Sequence, residues 1–74
     1  MVFEYLKNLL VDQFACEEAG IELTSLLDDL NLTGSDRADI AYDLSEHYGV
    51  DISESQTEEF ETVEDFVACV EDQM

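Results

Sequence analysis

Two stretches of this chain hold side chains that could do chemistry. The first is Asp29-Leu30-Asn31-Leu32-Thr33-Gly34, with oxygens at the first, third and fifth positions and glycine at the sixth, the opening of a calcium loop. Such a loop needs a bidentate glutamate at its twelfth position, because two oxygens from one carboxylate complete the coordination shell. Ile40 stands there, and Asp36 fills an eighth position that is usually apolar. No helical periodicity leads into Asp29 either, so an EF-hand is excluded and no metal ligand is expected. The second stretch is Asp36, Asp39, Asp43 and Glu46, at intervals of three, four and three, which puts all four along one face of a helix. Like charges so spaced repel, so they add nothing to the helix that bears them. The stripe is read as partner-binding, a docking face for a basic surface; a solvated polar face is the plainer alternative. No general acid or base is expected among them, since nothing in the pattern suggests a dry cleft to raise a carboxyl pKa.

The remaining reactive residues are few. His47 is the only histidine and falls near the end of the acidic helix, where a cation suits the negative end of the macrodipole. Cys16 and Cys69 lie far apart with no CxxC partner, so a zinc or redox motif is excluded. Without a second histidine, neither a metal site nor a Cys–His nucleophile has support. Both cysteines have apolar neighbours and are expected as buried free thiols, with a single bridge between the first and last helices as the alternative. The chain is not expected to be an enzyme.

The elements that position these residues follow from periodicity. Phe3, Leu6, Leu10 and Phe14, widened by Tyr5 and Leu9, predict a helix over Val2–Phe14. A leucine-rich stretch from Cys16 to Thr33 follows and is read as an ordered loop folded over the core. The second helix is predicted from Ser35 to His47 or Tyr48. Thr33 and Asp36 make a capping-box analogue at its start, and Gly49 stops it. Ala41, Leu44 and Tyr48 form its inward stripe, with Ala38 and Ile40 beside them. A brief third helix is predicted over Glu54–Phe60, and a last one over Val63–Gln73, capped by Thr62 with Val63, Phe66, Val67 and Val70 inward. The expected architecture is all-α: one domain over residues 1–74, three longer helices plus one short one, and a long first loop.

Charge decides which partners are possible. Twenty Asp and Glu against two Lys and Arg give a formal net charge of −18, yet 46% of residues are apolar, too many for a disordered acidic tail. Such a surface repels nucleic acid and anionic membranes and favours basic protein surfaces. Met1-Val2-Phe3-Glu4 lacks the basic and apolar regions of a signal peptide, and no apolar run would span a bilayer. A soluble cytoplasmic monomer is expected.

Leu30 to Val70 resembles the acyl carrier proteins almost without gaps, and the first helix and loop fit with about one residue fewer. Members of that family carry L-G-x-D-S-L-D-x-x-E-L at the opening of their second helix. An acidic-aromatic-Gly run, an I-x-I segment and a T-V-x-D start to the last helix then follow. The matching residues here are Leu30-Asn31-Leu32-Thr33-Gly34-Ser35-Asp36-Arg37-Ala38-Asp39-Ile40, Leu44-Ser45-Glu46-His47-Tyr48-Gly49-Val50-Asp51-Ile52 and Thr62-Val63-Glu64-Asp65. The resemblance implies a small helical bundle and a role in fatty acid or polyketide biosynthesis. It also implies a 4′-phosphopantetheine arm on the serine of Asp-Ser-Leu, whose thiol holds acyl groups as thioesters. Aligned on Asp36 and Asp39-Ile40, that triplet is Thr33-Gly34-Ser35, so Gly34 takes the serine position. The reading adopted is a degenerate carrier that docks on basic partner enzymes, such as acyl-transfer or synthase enzymes or a phosphopantetheinyl transferase. One alternative is a working carrier modified on Ser35, one residue and about 100° further round the helix; the ordinary role of that hydroxyl would be helix capping. A further alternative is an acidic helical interaction protein unrelated to acyl transfer.

Overall fold

The computed structural model describes residues 2–74. It is all-helical: α1 spans Val2–Phe14, α2 Gly34–Tyr48, α3 Glu54–Glu59 and α4 Val63–Asp72, with one 3-10 turn at Glu18–Gly20 in the long first connection. Three longer helices and one short one is the expected bundle, and the boundaries agree within a residue.

Each helix packs the face its sequence period provides. Val2, Leu6, Leu9 and Leu10 of α1 are buried, while Phe3, Tyr5 and Phe14 flank them half-buried. From α4, Val63, Phe66, Val67 and Val70 all go inward, as expected. The stripe of α2 is shifted by a few tens of degrees from the expected one. Ile40, Ala41 and Leu44 are its buried residues, whereas Tyr48 stops half-buried against the rings of Tyr5 and His47. Burial of Ile40 in the core is also the structural reason that no calcium loop can close there. Helix α3 contributes only Thr57, and Phe60 beyond it meets Phe66 edge-on at 4.8 Å.

Helix ends are closed largely by backbone-directed side chains. Gly49 adopts φ 67°, a left-handed conformation that needs no Cβ, and lets the Val50 amide return to the Ser45 carbonyl at 3.2 Å. Ala15 ends α1 with φ 56°, a position that costs an L-residue about 1–2 kcal/mol. Ser53 and Gln56 form a reciprocal capping box at α3. The Gln73 side chain pairs with both backbone groups of Asp51, accepting from its amide at 2.9 Å and donating to its carbonyl at 2.7 Å. The Val50–Ile52 segment is thereby tied to the end of α4.

The leucine-rich loop is ordered, as expected, and its backbone explains how. Ile21, Leu27 and Leu32 are buried in the core. The Leu27 amide donates to Glu61 at 2.8 Å, and the first two amides of α4, from Val63 and Glu64, donate to Ser25 and Leu23 at 3.0 Å each. Loop carbonyls therefore satisfy donors that a helix N-terminus leaves unpaired. An isolated β-bridge, Leu26 with Thr62, belongs to this ladder.

Asp65 completes that junction from the other side. Its carboxylate accepts the amides of Glu61 at 2.7 Å and Thr62 at 3.1 Å, and these bonds hold its pKa below the ordinary carboxylate value. A folded pKa below the unfolded value of about 3.9 means stabilisation that is complete above that pH and disappears as pH falls through the folded value. Asp65→Asn should therefore melt lower than wild type at pH 7, and the gap should close as pH falls through the folded value. Melting curves across pH for the two proteins would show it; a gap independent of pH would mean the charge of Asp65 does not matter.

Candidate functional site

Chemistry in the sequence converges on the mouth of α2. Thr33 is its N-cap, in extended conformation, and its hydroxyl accepts the Asp36 amide at 3.1 Å while the Asp36 carboxylate accepts the Thr33 amide at 3.1 Å. The helix thus starts at Gly34, one residue earlier than expected, and Thr33 rather than Ser35 supplies the capping hydroxyl. Gly34 and Ser35 occupy the exposed first turn. The Ser35 hydroxyl makes no hydrogen bond to any described residue, so capping does not explain it. Gly34 offers no oxygen from which a phosphodiester could form, so the aligned position does not fit a phosphopantetheine arm. Its surroundings would accept a side chain, however: a Cβ built there meets no atom within 4 Å, and its backbone is not left-handed.

The acidic stripe separates into two kinds of residue. Asp39 and Glu46 are exposed, whereas Asp36 and Asp43 are half-buried and already bonded. Asp36 holds the capping box, and Asp43 accepts the Tyr5 hydroxyl from α1. That bond, then burial, then the charge of Asp43 and proximity to Tyr48 push the Tyr5 pKa up to about 12. The Tyr5 ring lies flat on the imidazole of His47, centroids 3.9 Å apart and planes 11° from parallel. His47 therefore serves the seam between α1 and α2 as well as the helix end. The line that α2 turns to solvent is Ser35, Asp39, Tyr42 and Glu46, at intervals of four, three and four, with Tyr42 69% exposed. Sequence reasoning passed over Tyr42, although its place in that period between two acids was visible.

Arg37, three residues past Gly34, points to the opposite side. Its guanidinium donates to the carbonyls of Thr57 at 3.2 Å and Phe60 at 2.8 Å and pairs with Asp28 at 3.0 Å. It ties the end of α3 to α2 and to the loop, a role that sequence reasoning also missed. Both cysteines are unbridged, but they are half-buried rather than buried. Cys16 follows the left-handed turn at Ala15, and burial, with the nearby charge of Asp36, pushes its thiol pKa up. A raised pKa keeps the thiol protonated and poorly nucleophilic.

No family model matches the chain. It is 37% identical over 71 residues to the acyl carrier protein of Coprothermobacter proteolyticus, covering 95% of this chain and 87% of that protein. It is 35% identical over 72 residues to the acyl carrier protein of Phytoplasma australiense, covering 96% and 95%. The chain belongs to the acyl carrier protein family. Membership sets aside an unrelated acidic interaction protein and makes this a carrier-type chain, not an enzyme, as expected from the sequence. The acyl carrier protein fold expected from Leu30 to Val70 is the helical bundle observed. None of the described helices is long and apolar enough to cross a membrane.

Proposed function

We propose that this chain is an acyl carrier protein-like domain that has lost its attachment serine and keeps its docking face for basic partner enzymes. Gly34 at the mouth of α2 carries the first half of that reading, because a missing hydroxyl cannot be esterified. The second half rests on the solvent-facing line of α2: Asp39 and Glu46 flank an exposed aromatic, and the chain as a whole is strongly anionic. Opposite charge on a partner would speed encounter, and Tyr42 would add apolar contact at the centre of the patch. The partners are acyl-transfer or synthase enzymes, met by a cytoplasmic, monomeric, single-domain protein in fatty acid or polyketide biosynthesis. A second reading, 4′-phosphopantetheine carried on Ser35, is favoured by one observation: that hydroxyl is exposed and makes no hydrogen bond to any described residue.

Asp39→Lys with Glu46→Lys tests the docking face without touching Asp36 or Asp43, whose bonds support the fold. Partners retrieved by pull-down from the source cytosol should bind the double variant with an association rate lower by at least about tenfold, with dissociation changed less. An unaltered association rate in a variant that melts like wild type would reduce the α2 face to a solvated surface.

A further inference from the structure

We propose that this chain competes with arm-bearing carriers for the docking surface of an acyl-transfer enzyme and, while seated there, holds that enzyme idle. The inference rests on the docking reading above and adds what docking does to the partner. Docking and delivery, joined in a working carrier, lie on separate residues here. Ser35, Asp39, Tyr42 and Glu46 form the line that α2 turns to solvent, and all four are exposed. Delivery fails one residue before that line begins, at Gly34, which has no hydroxyl.

Nothing in the fold asks for that glycine. Gly34 is the first residue of α2, directly after the Thr33 cap. A Cβ there meets no atom within 4 Å, and its backbone is outside the left-handed region that favours glycine, unlike that of Gly49. The helix mouth is closed by Thr33 and Asp36, whose reciprocal bonds use neither the Gly34 nor the Ser35 side. Glycine also loses more backbone freedom on folding than any other residue, so a side chain at this position would not weaken the helix. What Gly34 removes is a nucleophile. The shape of the docking end is left as it would be with a serine in place.

Competition then follows from mass action. Two chains that present the same helix face to one surface exclude each other. An enzyme occupied by this chain receives no thioester, and no bond is made or broken on the chain, so it leaves unchanged. An arm-bearing carrier has contacts inside the enzyme that this chain lacks. Its hold depends instead on the α2 line and on long-range attraction of a chain with a formal net charge of −18. A competitor of this kind raises the apparent KM for the loaded carrier and leaves kcat alone, because a saturating carrier displaces it.

The test is turnover of an acyl-transfer enzyme from the source cell, with that cell's acyl-loaded carrier as substrate and this chain as the added protein. Direct titration of the enzyme with the chain supplies Kd. At a chain concentration of about ten times Kd, KM for the loaded carrier should rise about tenfold with kcat unchanged. Asp39→Lys with Glu46→Lys should abolish the rise, whereas Gly34→Ala should inhibit like wild type and melt no lower. A chain that binds the enzyme but leaves KM unaltered, or lowers kcat at saturating carrier, overturns the inference and leaves the docking reading standing. A chain that does not bind at all overturns both. Acyl groups found on wild type by intact mass after the assay would make it a substrate and not a competitor. Gly34→Ala melting below wild type would mean that the fold does need glycine there, and would overturn the reading of Gly34 on which the inference stands.

Discussion

Given equal exposure to a broad phosphopantetheinyl transferase and coenzyme A, wild type should stay almost unmodified, while Thr33→Asp/Gly34→Ser/Ser35→Leu should be modified to completion. The nucleophile must be a hydroxyl held at the mouth of α2 within reach of the bound coenzyme, and a misplacement of about 1 Å can cost on the order of 10²-fold in rate. Gly34 has no hydroxyl, and Ser35 is turned by about 100° around the helix. The three replacements should leave the fold intact. A Cβ at Gly34 meets nothing within 4 Å. Aspartate caps a helix at least as well as threonine. Ser35 is exposed, so leucine there displaces no core atom. Intact mass reads the result directly. Stoichiometric modification of wild type that Ser35→Ala abolishes would make this a working carrier with a shifted serine. A folded triple variant that stays unmodified would mean that more than the triplet has been lost.

The second large effect concerns Arg37. Arg37→Met keeps a long apolar stem but removes the donors to Thr57 and Phe60 and the partner of Asp28. The Thr57 carbonyl keeps the Phe60 amide at 3.3 Å, but leaving the Phe60 carbonyl without a donor costs about 1–3 kcal/mol. The loss should be concentrated in α3, which has one buried residue of its own to hold it. Urea denaturation should show a midpoint lowered accordingly, and the α3 amides should exchange faster than those of α1 and α4. Arg37→Lys should recover only part of the loss, because an ammonium cannot fork to several acceptors as a guanidinium does. A midpoint equal to wild type would mean that α3 is held by packing of Thr57 and Phe60 alone.

The helices were legible because their signals are local. Apolar residues at intervals of three and four mark α1 and α4, and Thr33 with Asp36 and Gly49 mark the two ends of α2. What escaped depends on side-chain reach between segments remote in sequence. Arg37 looked like one of two isolated cations in an acidic chain, and no periodicity says that its guanidinium reaches across to the end of α3. Asp43 counted as a free member of the stripe until Tyr5 from α1 claimed it. The site was half legible. The proposal that Gly34 stands where the family has its serine comes from the sequence motif. Which acids face water depends on how far α2 is rotated about its axis, and burial of Ile40 beside Ala41 set that rotation.

The ladder between the loop and α4 bears on the order in which the chain assembles. Leu27 with Glu61, Ser25 with Val63 and Leu23 with Glu64 join segments far apart in the chain, and each side supplies what the other lacks. A nascent chain that has not yet extended to Val63 has no partner for these loop groups, and α4 formed alone would expose its first amides. The two segments are therefore one cooperative unit that appears late in folding and opens as a whole.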